Sequence, residues 1–254
     1  MCENQRGYTV GVTKLSSRLG KTGVDRVMKR QPPADSTFFV GDIQGCARPL
    51  GRLLRAARFN PDKHHLIALG DTINRGPDNV ATLSLLRGLG AEPILGNHEL
   101  AILGGLSTGK TPAWLLEQSV SRDLLKHPKC ASYLDWIAGW PHWIWGHGWL
   151  AVHGGLHPRL PIEETDPMYL ATIRLCDSKG RKPKGWDGSS NVYPQGFKPW
   201  HHYYRGDDLV LYGHWARQGL RVGPRTVGLD SGCVYGGGLS GMWYPSREIV
   251  HVSS

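Results

Sequence analysis

The chain has 254 residues, of which 40% are hydrophobic, so it can form one large domain or two small ones with a sizeable core. Its 30 Lys and Arg residues against 21 Asp and Glu give a formal charge of +9, which favours an acidic partner such as a nucleic acid or a phosphorylated substrate. This composition excludes a wholly disordered chain, and no apolar stretch approaches the roughly 18 residues that a membrane span needs.

The cysteines and the first residues indicate where the protein acts. The chain has 5 cysteines, an odd number, and they form no CxxC pair. This argues against a disulfide scaffold or a zinc–thiolate site and favours a reducing, cytoplasmic location. Residues 1–36 carry seven basic and three acidic residues and no apolar core of a signal peptide, so we expect a flexible basic extension there.

A regular alternation of strands and helices begins after this extension. Short apolar runs at Thr37–Val40, Leu66–Leu69 and Pro93–Leu95 predict three strands. Leucines at helical spacing in Leu50–Ala57, and the segment Val80–Leu89, predict the helices between them. This βαβαβ order predicts parallel strands with right-handed crossovers and therefore an α/β fold.

The second half of the chain is less regular. Helices are predicted over Lys110–Cys130 and Tyr133–Trp140, and a β-hairpin over Trp143–Val152. Residues Asp177–Tyr204 are rich in Gly, Pro, Lys and aromatic residues, which is typical of a long functional loop or cap. We expect a second sheet to be closed by three further segments: Leu209–Tyr212, Val227–Leu229 and Gly241–Val252.

Polar side chains follow the predicted strands, most of them next to glycine. They are Asp42, Gln44, Asp71, Asn97, His98, His153 and His214. Ligand sites of open α/β sheets lie at such strand ends. Carboxylates, carboxamides and imidazoles without thiolate suit Mn, Fe, Co or Zn, and a shared carboxylate could hold two such ions for a phosphoryl displacement. Arg75 offers a planar guanidinium for phosphate oxygens.

These motifs make the sequence recognisable. It resembles the metallophosphoesterases of the phosphoprotein-phosphatase superfamily, and within them the symmetrical bis(5'-nucleosyl)-tetraphosphatases, which hydrolyse diadenosine tetraphosphate. The motifs that carry the resemblance are Gly41–Cys46, Gly70–Pro77, Gly96–Glu99, His153–Gly155, Ile173–Leu175, Lys198–Trp200, Gly213–Ala216 and Leu229–Cys233. The resemblance implies a calcineurin-like fold, two mixed β-sheets flanked by helices, over residues 37–254.

The resemblance also implies roles for single residues. It implies a hydrolase with two divalent metal ions that cuts dinucleoside tetraphosphates into two nucleoside diphosphates. Asp42, Gln44 and the bridging Asp71 would hold the first ion. Asp71 would hold the second together with Asn97, His153 and His214. His98 would be the general acid, and Arg75 and Arg174 would bind phosphate.

Two residues depart from the superfamily pattern. Gln44 stands where a metal-binding His is usual, so we expect weaker metal binding on that side of the centre. Asn74 stands where protein phosphatases have Asp beside the general-acid histidine, and it cannot stabilise imidazolium by charge. Because an anhydride has a good leaving group and needs less acid assistance than an alkyl phosphate ester, Asn74 favours a nucleotide anhydride as substrate.

The aromatic residues divide into two groups. Trp200, with Lys198 in the same motif, is predicted to bind substrate, Trp200 by stacking on a base. The tryptophans of the predicted helix and hairpin are assigned to the core; they are Trp136, Trp140, Trp143, Trp145 and Trp149.

Three functions remain open from the sequence. The first is a dinucleoside polyphosphate hydrolase, whose substrates could include nucleotide-capped RNA 5' ends with the same kind of anhydride. The second is a Ser/Thr phosphoprotein phosphatase, against which Asn74 argues. The third is a non-catalytic nucleotide-binding protein in which Gln44 has weakened the metal site. No obligate protein partner and no membrane partner are expected.

Overall fold

The computed structural model describes residues 36–108, 118, 120, 123–188, 190 and 192–254. The predicted basic extension, apart from Ser36, lies outside these described residues, as does much of the helix predicted over Lys110–Cys130. Among the helices that the structure describes, none combines the length and apolar character needed to span a membrane.

The described elements alternate along the chain as an α/β fold. The helices are α1 (Ala47–Ala56), α2 (Asn79–Gly88), α3 (Asn97–Thr108), α4 (Cys130–Ile137) and α5 (Pro167–Thr172). The strands of the first half are β1 (Thr37–Val40), β2 (His65–Ala68), β3 (Glu92–Pro93), β4 (Trp143–Gly146), β5 (Trp149–Val152) and β6 (Leu175–Cys176). Those of the second half are β7 (Lys198–Pro199), β8 (Leu209–Tyr212), β9 (Arg221–Val222), β10 (Thr226–Gly228), β11 (Leu239–Tyr244) and β12 (Ile249–Val252).

Two mixed sheets of five strands form the body of the fold. The first has the order β12-β11-β1-β2-β3, in which β1, β2 and β3 are parallel, as the βαβαβ pattern predicts. The second has the order β4-β5-β8-β10-β9, with β5, β8 and β10 parallel. The predicted hairpin over Trp143–Val152 is confirmed as β4 and β5.

One part of the predicted topology is wrong. The segment Gly241–Val252 was expected in the second sheet, but β11 and β12 belong to the first sheet, where Phe38 of β1 is opposite Trp243 of β11. Without β11, strand β1 would present a row of unpaired N–H and C=O groups at the edge of the sheet. The antiparallel hairpin at the end of the chain covers that edge.

The alternation of side chains along β1 explains how the layers pack. Phe38 and Val40 lie in a cluster with Leu50 and Leu53 of α1. Phe39 points to the opposite face and packs edge-on against Trp149 of the second sheet, with ring centroids 4.9 Å apart. Since successive strand residues point to opposite faces, β1 holds a helix layer on one side and the second sheet on the other.

This arrangement brings the ends of the central strands together. Strands β1 and β2 run into Gly41-Asp42 and Gly70-Asp71, while β5 and β8 run into His153 and Gly213-His214. Gly213 N donates to the carbonyl oxygen of His153 at 2.8 Å, so the two strands of the second sheet are still paired where the polar residues begin. Carboxylates and imidazoles from both sheets therefore lie together at one edge of the two packed sheets.

Candidate metal centre and phosphate cavity

The backbone at this edge is strained in a way that few residues tolerate. Five site residues other than glycine have a positive φ: Gln44 (48°), Asp71 (45°), Asn74 (80°), Arg75 (64°) and His214 (68°). Such residues with a left-handed backbone are uncommon, each costs about 1–3 kcal/mol, and they concentrate at functional sites. Their presence in one place indicates that the surrounding structure holds these side chains in position for a purpose other than stability.

Three ligand types converge beside β2 and β5. Asp71, His153 and His214 each offer an atom that lies within 4.8 Å of the others. His153 donates from Nδ1 to the carbonyl oxygen of Leu69 at 2.6 Å, which directs its Nε2 to within 3.2 Å of both Asp71 Oδ1 and Asn97 Oδ1. The Nε2 atom of His214 is buried without a hydrogen-bond partner. Two imidazole nitrogens and two oxygen acceptors around one point fit a divalent cation.

Asp42 and Gln44 lie next to this cluster. Both are buried, and Asp42 Oδ1 accepts a hydrogen bond from the backbone N–H of His214 at 2.9 Å. A Cβ atom at Gly213 would lie 2.1 Å from that same oxygen, so only glycine fits before His214. Gln44 lies on the cavity wall, and its backbone N–H donates to the carbonyl oxygen of Asp71 at 2.8 Å.

The carboxylates of the centre are in two different electrostatic states. Burial opposes ionisation of Asp71, but the nearby rings of His153 and His98 outweigh it and hold its pKa well below the usual range. For Asp42, burial together with the neighbouring carboxylate of Asp230 raises the pKa well above the usual value. The pKa of Asp230 is itself raised to about 6, chiefly by burial. The Asp42 side therefore places two buried carboxyl groups together, and a cation bound there would favour their ionised forms.

His98 stands beside Asp71 in a fixed orientation. Its Nδ1 lies 2.9 Å from the amide nitrogen of Asn74, and its Nε2 lies 3.5 Å from Asp71 Oδ2. An amide N–H donor at Nδ1 leaves the proton of the neutral ring on Nε2. Burial lowers the pKa of His98, which also favours the neutral ring. In this tautomer the Nε2–H of the side chain is a hydrogen-bond donor that faces the centre.

A cavity of about 500 Å³ opens over these residues. Two arginines lie on its wall: Arg75 is exposed and contacts Tyr235, and Arg174 is partly buried with Nη2 donating to the carbonyl oxygen of His214 at 3.2 Å. Two guanidinium groups beside a carboxylate-rich centre can hold the oxygens of a polyphosphate.

The structure corrects two of the predicted substrate contacts. Trp200 is 1% exposed and packs edge-on against Tyr212 in the core of the second sheet, with centroids 5.2 Å apart. A buried indole offers no face to a nucleobase, so the predicted stacking role is wrong. Lys198 is exposed, lies outside the residues that line the cavity, and its Nζ is 3.2 Å from His202 Nε2.

Sequence reasoning missed several residues that build the centre. Glu99 is fully buried and accepts hydrogen bonds from the backbone N–H groups of Asp71, Thr72, Ile73 and Gly96. It thereby fixes the turn that follows β2. Its only signal in the sequence was its position in the motif Gly96–Glu99. Asp230 likewise stood within the motif Leu229–Cys233 without an assigned role.

Asn79 and Asp123 support the turn that carries Asn74 and Arg75. The Oδ1 atom of Asn79 accepts from the backbone N–H of Asn74 at 2.5 Å. Asp123 in turn accepts from the backbone N–H of Asn79 at 2.8 Å and from its Nδ2 at 3.0 Å. This chain of hydrogen bonds holds a strained segment whose two residues face the centre.

The comparisons with known proteins agree with this geometry. The family model of the calcineurin-like phosphoesterases matches residues 36–218. A symmetrical bis(5'-nucleosyl)-tetraphosphatase of Dechloromonas aromatica is 28% identical over 85% of this chain and 95% of its own length. A solved structure of a candidate diadenosine tetraphosphatase superposes with a TM-score of 0.76 at 32% identity, over 90% of this chain and 97% of the other.

A more distant structure shows how widely the fold is shared. A protein serine/threonine phosphatase of Saccharomyces cerevisiae superposes with a TM-score of 0.52 at 14% identity, over 97% of this chain and 88% of the other. At that identity the likeness concerns the fold alone.

The fold and a cluster of side chains that could hold a metal ion define a metallophosphoesterase, a class of metal-dependent hydrolases. The chain belongs to the calcineurin-like phosphoesterase family. The predicted fold, two mixed sheets flanked by helices, is thereby confirmed.

Proposed function

We propose that this protein is a symmetrical bis(5'-nucleosyl)-tetraphosphatase, which hydrolyses diadenosine tetraphosphate into two molecules of ADP. The observation that carries the proposal is the convergence of Asp71, His153 and His214 below a cavity whose wall holds Arg75 and Arg174. A carboxylate and imidazole centre next to two guanidinium groups suits a highly charged phosphate chain. The relative from Dechloromonas aromatica is named for this activity, and its similarity to this chain extends over 95% of its length.

We propose that two divalent ions, Mn, Co, Fe or Zn, bind here. Asp42, Gln44 and Asp71 would hold one, and Asp71, Asn97, His153 and His214 the other. The unpartnered Nε2 of His214 and the buried carboxyl groups of Asp42 and Asp230 support this assignment. When bound, such ions lower the pKa of water to supply a nucleophile and stabilise charge on phosphate oxygens.

The residues of the chain itself would bind, orient and protonate the substrate. Arg75 and Arg174 would hold phosphate oxygens on the cavity wall and fix the anhydride over the centre. His98 would act as the general acid: its imidazolium form would pass the Nε2 proton to the leaving phosphate oxygen and remain as the neutral ring, whereas the neutral ring would donate only a hydrogen bond to that oxygen. Since Asn74 adds no negative charge, His98 would not be stabilised as imidazolium before it acts, which suits a good leaving group such as ADP.

Product analysis tests the proposal directly. The full chain would be incubated with Mn²⁺ or Co²⁺ and either diadenosine tetraphosphate or a phosphoserine peptide, and products would be separated by chromatography. We expect ADP as the sole nucleotide product and little release of phosphate from the peptide. AMP and ATP as products would contradict symmetrical cleavage. Preferential dephosphorylation of the peptide would favour a protein phosphatase, and a nucleotide-capped RNA tested in parallel would show whether capped 5' ends are also substrates.

We also propose that residues 37–254 carry the activity and that the protein works in the reducing cytosol. None of the proposed ligands precedes Asp42 in the sequence. The free state of Cys46, Cys130, Cys176 and Cys233 supports a reducing compartment. A chain that lacks residues 1–36 should keep its turnover of diadenosine tetraphosphate within about twofold, because surface extensions commonly tolerate truncation. A loss of most of the turnover in a folded truncated chain would contradict this boundary.

A further inference from the structure

Tyr235 is the last residue of a short 3-10 turn, Cys233–Tyr235, that follows β10. Gly232 and Gly236 flank this turn with φ values of 72° and 89°, so the chain reverses sharply on both sides of it. Cys233 is buried in the core, whereas Tyr235 is 62% exposed. The turn is therefore anchored from inside while its aromatic ring stands in solvent, and the ring gains little from burial in the folded chain.

The exposed ring lies on the wall of the phosphate cavity. Arg75 donates a hydrogen bond to the Tyr235 hydroxyl, and its guanidinium carbon lies 5.5 Å from the ring centroid. An aromatic surface thus stands directly beside the cation proposed to bind phosphate. A ligand that carries a flat, apolar ring next to a phosphate chain would contact both groups at once.

The tryptophan on the cavity wall, and the tryptophan predicted from the sequence to stack on a base, are both buried. Among the described residues that line it, Trp215 is the second aromatic, but it is 4% exposed and packs against Trp186 with centroids 6.3 Å apart. Trp200 is buried in the core of the second sheet. Of these rings, that of Tyr235 offers the exposed surface on the cavity wall.

We propose that Tyr235 is a nucleobase-stacking residue that binds one nucleoside end of the substrate while Arg75 holds the adjoining phosphate. This inference rests on the proposed function and deepens it, because it assigns the site that distinguishes a nucleotide anhydride from an inorganic polyphosphate. Stacking of one base on an aromatic side chain corresponds to about a 5- to 150-fold gain in affinity. It is tolerant of base identity, because every base has a π-face.

Calorimetric binding of ADP and of inorganic pyrophosphate tests the proposal in the presence of Mn²⁺. Both ligands carry a diphosphate, and only ADP carries a base. Tyr235→Ala should weaken ADP binding about 5- to 150-fold and leave pyrophosphate binding within about twofold. Tyr235→Phe keeps the ring but removes the hydroxyl that Arg75 contacts, and it should bind ADP nearly as the unchanged protein does.

Leu160→Ala serves as the matched control, since Leu160 is a 45% exposed apolar residue away from this cavity. An equal loss for ADP and pyrophosphate in Tyr235→Ala would overturn the proposal and show that Tyr235 acts only by positioning Arg75. Unchanged ADP binding in Tyr235→Ala, or an equally large loss in Tyr235→Phe, would also overturn it. Because binding is measured without turnover, a failure to hydrolyse diadenosine tetraphosphate would count against the proposed function alone.

Discussion

The two sides of the candidate metal centre differ in how completely the protein assembles them. On the histidine side (Asp71, Asn97, His153 and His214), His153 Nε2 already lies 3.2 Å from both Asp71 Oδ1 and Asn97 Oδ1, His214 lies within 4.8 Å of Asp71 and His153, and Asp71 has imidazole partners that keep it ionised. The glutamine side (Asp42, Gln44 and Asp230) holds two carboxylates whose pKa values are raised chiefly by burial and a neutral carboxamide in place of an imidazole. The difference teaches that the protein itself organises the histidine side, whereas the carboxyl groups of the glutamine side need a cation to become fully ionised.

The largest effects should follow from changes on the histidine side. Asp71→Ala or His214→Ala should lower kcat for diadenosine tetraphosphate by about 1,000-fold or more, because the donors that organise a metal-activated nucleophile contribute several kcal/mol. Steady-state kinetics at saturating Mn²⁺ would measure this, with circular dichroism to show that the fold is kept. His147→Ala is the control, since His147 is an exposed histidine in the β4–β5 turn. Unchanged turnover in either site variant would remove these residues from the centre.

Much of this side could be predicted because its residues follow strands. Asp71 comes after β2 of the first sheet, and His153 and His214 come after β5 and β8 of the second, so the ends of parallel strands lie at one edge within each sheet. The glycines before Asp71 and His214 were a further sign in the sequence, because they indicate a close approach of neighbouring atoms that leaves no room for a Cβ. The sheet that flanks the site was therefore predictable from local patterns.

What could not be predicted depends on contacts between distant residues. The pairing of β11 with β1 joins segments about two hundred residues apart, and an alternating strand pattern does not specify its partner. The loop with Trp200 has no apolar periodicity that would reveal which side of each aromatic is buried. Glu99 acts through backbone N–H groups, which are the same in every sequence, so its role appears only in three dimensions.

An intermediate effect should come from the support of the Asn74–Arg75 turn. Asn79→Ala removes the side chain that accepts from the Asn74 N–H and donates to Asp123. The turn with the two positive-φ residues Asn74 and Arg75 then loses the hydrogen bonds that support it. We expect kcat/KM to fall about 10- to 100-fold, since a small displacement of positioning groups is costly in catalysis. Stability should fall by about 1–3 kcal/mol, because buried polar groups are left unpaired.

The contrast between affinity and turnover distinguishes this role from simple destabilisation. Because the hydrogen bonds given for Asn79 join it to Asn74, Gly76 and Asp123, the half-saturating Mn²⁺ concentration should stay within about twofold while kcat/KM falls. Thr82→Ala, a buried change on the same helix, is the control, since its hydroxyl donates to the carbonyl oxygen of Asp78 and, among the described residues, to no group of the Asn74–Arg75 turn. An equal loss of kcat/KM in Thr82→Ala at similar stability would show that Asn79 matters only for folding.

The smallest change in turnover, and the most direct test of the comparison, concerns Gln44. If its carboxamide is a weak, neutral ligand, Gln44→His should lower the half-saturating metal concentration by about tenfold, because imidazole is a stronger donor for Mn, Co or Zn. Turnover at saturating metal should not rise, since a more strongly donating ligand reduces the acidity of water at the ion. Gln44→Ala should lose less turnover than Asp71→Ala, because Asp42 and Asp71 remain.

A metal titration of turnover for the unchanged protein, Gln44→His and Gln44→Ala decides the question. Equal half-saturating metal concentrations in all three would show that Gln44 does not contact the metal. The glutamine side would then have to be rebuilt around Asp42 and Asp230, its two buried carboxyl groups.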